Sequence, residues 1–61
     1  TTAAGDTFTG YFMTEYMLNR DINTALKIAA TASAIAVSRN GAADSIPTRN
    51  EVMEYLERET N

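Results

Sequence analysis

The sequence predicts a mainly helical segment of about three helices that needs further structure around it. Three observations point there. Apolar residues recur at spacings of three and four in three stretches, and no strand of full length can be read. The middle stretch is apolar on nearly every face, as buried helices are. Finally, 61 residues with no Cys and no His lack the disulfides and zinc sites that usually stabilise so short a chain. A chain of that size buries only about 60% of its unfolded surface, and much of the apolar content is alanine, which buries little area.

The first helix is expected from Ala4 or Gly5 to about Asn19, with Phe8, Tyr11, Phe12 and Tyr16 on one face and Thr14 and Glu15 on the more polar side. The aromatic stripe reads as core rather than as a site. Asn19-Arg20-Asp21 breaks the pattern, and Asp21 can cap the next helix by accepting hydrogen bonds from its free amides. That second helix is expected from Ile22 to about Ser38. Ile22, Ala25, Leu26, Ala29, Ala32, Ser33 and Ala36 form one stripe, while Ile28, Ala30, Ala34 and Ile35 make other faces apolar. Arg39-Asn40-Gly41 ends it, with a cation at the negative helix end and a glycine able to turn left-handed. Residues 40–47 read as a loop, with Ile46 held extended before Pro47. Thr48 and Glu51 have capping-box spacing and open a third helix. There Val52, Tyr55 and Leu56 are expected inward, and Glu51, Glu54, Glu57 and Arg58 outward.

The net charge of −3, with five scattered basic residues, argues against a nucleic-acid partner. No apolar run is long enough for a membrane span. The cysteine-free composition is compatible with the cytoplasm.

Ala3-Ala4-Gly5-Asp6 is the stretch with chemical content. The first turn of a helix offers free N–H groups and the positive end of the macrodipole. Small side chains let an anion reach that backbone. An aspartate in the same turn can take a proton from a hydroxyl aimed at the anion, which is a phosphoryl-transfer arrangement. Asp6 can equally serve the helix alone, through the dipole. There is no Walker A loop and no GxGxxG.

Thr1–Gly10, TTAAGDTFTG, resembles the DTTGAGDTFNG signature of the ribokinase (PfkB-type) family of carbohydrate kinases. Ala32–Ala42 is similar to the family's Ala-rich helix and RxGA turn, and Ser45–Val52 to its SIPTRxEV stretch. The motifs occur in the family's order, cover nearly all of the chain, and look most like the ribokinase branch.

The resemblance implies an α/β parent, a three-layer ribokinase-like fold with a strand lid. Residues 1–61 would be its C-terminal, mainly helical segment, and the family's aspartate would stand just before Thr1. It implies ATP and a sugar as substrates, Mg²⁺ with the nucleotide, and a homodimeric, cytoplasmic parent. The remainder of the kinase chain would be this segment's partner, and the segment alone would be inactive. By position, Asp6 would be the catalytic base that meets the sugar hydroxyl, and the amides of Ala3, Ala4, Gly5 and Asp6 the anion hole. Ala30 would offer the adenine only a small apolar contact. A monovalent cation, normally K⁺, would take oxygens from the backbone of Thr2, Ala36, Arg39 and Gly41 and from the Ser45 hydroxyl; the residues alone also read as an ordinary glycine cap and turn. Thr9 departs from the family's Asn, and Ala3 from its usual Gly. D-Ribose is the expected sugar, with fructose, adenosine or 2-keto-3-deoxygluconate as alternatives. A stand-alone three-helix interaction module is the non-catalytic alternative.

Overall fold

A computed structural model describes residues 3–39 and 46–60. The described residues form three helices, α1 (Ala3–Asn19), α2 (Ile22–Ser38) and α3 (Arg49–Thr60), and contain no strand. The α/β character expected of the parent is therefore not a property of these residues.

Two residues connect α1 to α2. Arg20 adopts a left-handed φ of 58°, and its N–H donates to the Tyr16 carbonyl at 2.7 Å, closing the last turn of α1. Asp21 then caps α2 from an extended conformation. Its Oδ1 accepts from the Asn23 and Thr24 amides at 3.0 and 3.4 Å, and its Oδ2 from the Thr24 hydroxyl at 2.9 Å. These bonds hold the Asp21 carboxyl below the usual carboxylate range. So short a connection makes α1 and α2 an antiparallel pair. The Ser33 hydroxyl accordingly donates to the Ala4 carbonyl at 3.2 Å, which sets the start of α1 beside the C-terminal half of α2.

The buried face of α2 is Ala25, Ile28, Ala29, Ala32 and Ala36. Ile28 and Ala32 join Val52 of α3 in the core, with Tyr11, Ile35, Met53 and Leu56 packed around them. This corrects the sequence reading in phase: Leu26 and Ile22, expected in the stripe, are exposed, while Ile28 turns inward. When a helix is apolar all round, its period cannot say which stripe faces in. Tyr55, expected inward on α3, is exposed, and Met53 takes the inner position. Of the aromatic stripe, only Tyr11 packs on the core. Phe8, Phe12 and Tyr16 stack along one side of α1, with centroids 6.4 and 6.1 Å apart.

α3 is held at its entrance. Thr48 N–H donates to Glu51 Oε1 at 2.8 Å, and Glu51 N–H to the Thr48 hydroxyl at 3.2 Å, which is the expected capping box. The same Glu51, expected to face solvent, is half-buried and takes a bidentate pair from Arg39 at 3.3 and 2.6 Å. The Arg39 guanidinium holds the Glu51 carboxyl below its ordinary range. The end of α2 and the start of α3 are thus tied across residues 40–45.

Candidate active site

Asp6 lies exposed in the first turn of α1. Helix geometry leaves the amides of Ala3, Ala4 and Gly5 without a carbonyl four residues earlier inside the helix, so they stand at its positive end beside Asp6. A cleft of about 390 Å³ opens next to this turn. On one side stand Asp6, Thr7, Gly10, Tyr11, Thr14 and Glu15 of α1; Ile46 and Arg49 face them from the approach to α3.

Two contacts fix the width of that cleft. The Tyr11 hydroxyl donates to the Pro47 carbonyl at 2.5 Å. Glu15, only 1% exposed, accepts from Arg49 Nε at 2.7 Å and Nη2 at 3.1 Å, and from the Asn19 amide at 3.1 Å. The Arg49 guanidinium holds the Glu15 carboxyl below the carboxylate range despite burial, which opposes it. Arg49 is raised in return by Glu15. Burial pushes the Tyr11 phenol up, and the charges of Glu51 and Glu15 add to that. Sequence reasoning placed Glu15 on a polar face and did not single out Arg49. Their separation of 34 residues leaves no local signal.

Thr7 was also missed. It is 3% exposed, and its hydroxyl has no hydrogen-bond partner among the described residues.

The antiparallel hairpin brings Asp6 and the C-terminus of α2 to the same end of the fold. Ala36 is buried there, and its carbonyl accepts from the Arg39 N–H at 3.2 Å, as does that of Ile35. A carbonyl has a second lone pair, so the donor chemistry of Ala36 suits a monovalent cation. Thr2, Gly41 and Ser45, the other expected ligands, lie outside the described residues. Ala30 is exposed on α2. No group of three or more acidic, histidine or cysteine side chains is placed to hold a metal among the described residues. Nor is any helix of the described residues long and apolar enough to cross a membrane.

Residues 1–49 match the pfkB family carbohydrate kinase. The chain belongs to that family. It is 47% identical over 57 residues to a ribokinase of Haemophilus influenzae, covering 93% of this chain and 19% of the relative. It is 45% identical over 56 residues to a ribokinase of Bacillus subtilis, covering 92% and 19%. A 5-dehydro-2-deoxygluconokinase of Bacillus velezensis is 33% identical over 57 residues, covering 93% and 17%. The chain thus spans about a fifth of the length of these curated relatives. No solved structure matches it.

Proposed function

We propose that this chain is the C-terminal segment of an ATP-dependent sugar kinase, with D-ribose as substrate and ribose 5-phosphate as product. The observation that carries the reading is Asp6 in the first turn of α1, at the positive end of that helix and inside the family's matched region. The sugar's primary hydroxyl oxygen bonds to the γ-phosphorus of ATP while the bond to the bridging oxygen breaks and ADP leaves. Asp6 takes the hydroxyl proton. The amides of Ala3 to Asp6 stabilise charge on the transferred group, because fixed dipoles need no reorganisation as that charge develops.

Mg²⁺, bound with ATP, supplies neutralisation of phosphate charge. Ala36 and Arg39, with Thr2, Gly41 and Ser45, would hold a monovalent cation at the end of α2, where helix carbonyls present partial negative charge. Ala30, exposed on α2, leaves room for an adenine against a small apolar surface. In this reading residues 1–61 are one segment of a three-layer α/β domain. The parent is a homodimer in the cytoplasm, as the family resemblance implies.

Asp6→Asn in the full-length enzyme tests the reading. Turnover should fall on the order of 10²–10⁴-fold with nucleotide affinity largely kept; normal turnover would overturn the base assignment. Ribose is favoured over a gluconate-derived substrate because the two ribokinases are 47% and 45% identical to this chain and the dehydrodeoxygluconokinase 33%. Comparing kcat/KM for ribose and 5-dehydro-2-deoxygluconate decides between them.

A further inference from the structure

We infer that Arg49 is a positioning residue for the proposed phosphoryl transfer: its fork on Glu15 fixes the rotation of α1 about its own axis, and with it the place of the Asp6 carboxyl. The inference rests on the reading of Asp6 as the base, and adds what holds that base in place.

Among the described residues, the backbones of α1 and α3 each lie against α2 and not against one another. Side chains span the cleft between them instead. The Tyr11 hydroxyl donates to the Pro47 carbonyl, and Arg49 Nε and Nη2 donate to Glu15 Oε2 and Oε1 at 2.7 and 3.1 Å. Charge-assisted forks of this kind are strong and specific in direction. The acceptor is out of water, since Glu15 is 1% exposed, and the Asn19 amide holds it from a second side.

Arg49 is itself anchored. Glu51, two residues on, takes both bonds from Arg39 at the end of α2 and closes the cap with the Thr48 amide. The start of α3 is thereby tied to α2, and Arg49 carries that reference across to α1.

Leverage decides what the pair controls. The Ser33 bond to the Ala4 carbonyl holds the start of α1, but backbone atoms lie close to a helix axis, with Cα at about 2.3 Å. Side-chain ends reach about 5–6 Å, so the Glu15 carboxylate resists rotation with the longer arm. The hydrogen-bonded turns of α1 transmit that restraint to Asp6. At this radius a roll of about 10° moves the Asp6 carboxyl by about 1 Å, enough to cost on the order of 10²-fold in rate.

The test uses the full-length kinase. Arg49→Lys keeps the charge and loses the fork. Its kcat should fall about tenfold or more, with KM for ATP and for sugar changed by less than about twofold. In an Asp6→Asn background the same substitution should cost no further turnover, because Arg49 acts through Asp6. An unchanged kcat in Arg49→Lys overturns the inference. So does an equal loss in both backgrounds, which would mean general damage to the fold. Glu15→Gln keeps the shape of the acceptor and should reproduce the pattern; it is the second variant should Arg49→Lys not fold. Normal turnover in Asp6→Asn alone would remove the base reading and this inference together, whereas an impaired Asp6→Asn with equal losses removes only this one.

Discussion

Arg20 holds a backbone conformation that costs a side-chain-bearing residue on the order of 1 kcal/mol, with φ at 58°. Its amide closes α1, so the conformation is required whatever residue stands there. Arg20→Gly should therefore stabilise the protein by about 1 kcal/mol, less the added freedom of the unfolded chain. A raised midpoint in urea denaturation checks this, and a lowered midpoint would mean that the arginine side chain contributes more than the strain removes. Glu15 sets a second residue-scale expectation. Its folded pKa lies below its unfolded value, so the native state binds fewer protons in that window. The pair's contribution is complete above the unfolded carboxylate pKa, about 4.3, and is lost as pH falls through the folded value. Arg49→Met should destabilise more than Glu15→Gln, since it strands a buried carboxylate rather than a guanidinium that is 51% exposed. It should also remove the acid loss of stability that the pair causes, because a buried carboxylate without its cation takes up a proton more readily folded than unfolded. Denaturation midpoints at a series of pH values distinguish the two variants.

At the scale of elements, local chemistry made the helices legible. The Asp21 cap and the Thr48–Glu51 box are short-range patterns, and both appear where the sequence puts them. α2 keeps its expected bounds, while α1 begins at Ala3, a residue before the expected start. What was not legible depends on neighbours. Glu15 was assigned to the polar side because a glutamate between aromatics looks solvated, and only the fold brings Arg49 across 34 residues to bury it. Of the site, Asp6 and the first-turn amides were legible from residue type and helix position, whereas the Thr7 hydroxyl and the Arg49 wall of the cleft were not. Glu51 shows how one side chain serves two elements. It completes the cap of α3 and pairs with Arg39 at the end of α2. Glu51→Gln should keep the cap, because glutamine can serve at that position, and lose only the ion pair. Thr48→Ala should instead cost about 1 kcal/mol through the cap. Helicity and urea midpoints measured on both variants separate the contributions.

At the scale of the whole molecule, the core is narrow. Val52 is the largest wholly buried apolar side chain among the described residues, and alanines make up most of the rest. Val52→Ala should cost about 2 kcal/mol, read from the same denaturation curves. Meanwhile Met13, Met17, Leu18, Ile22, Leu26 and Val37 remain exposed. Surfaces of that kind mark contact with further structure. The isolated chain should concentrate into oligomers as its concentration rises, which sedimentation would detect, and should turn over no ATP.

The alanine face of α2 sets a length scale that reaches the turn carrying Asp6. Methyl groups at positions 25, 29, 32 and 36 decide how near the neighbouring helices lie, and Ala4, two residues before Asp6, is bonded to Ser33 on that same helix. A side chain one carbon larger at Ala32 would act as a wedge driven in far from any substrate. It would tilt the strut on which Asp6 is mounted, so under the proposed catalytic reading the tolerance at Asp6 is written in the bore of the joint rather than at its tip.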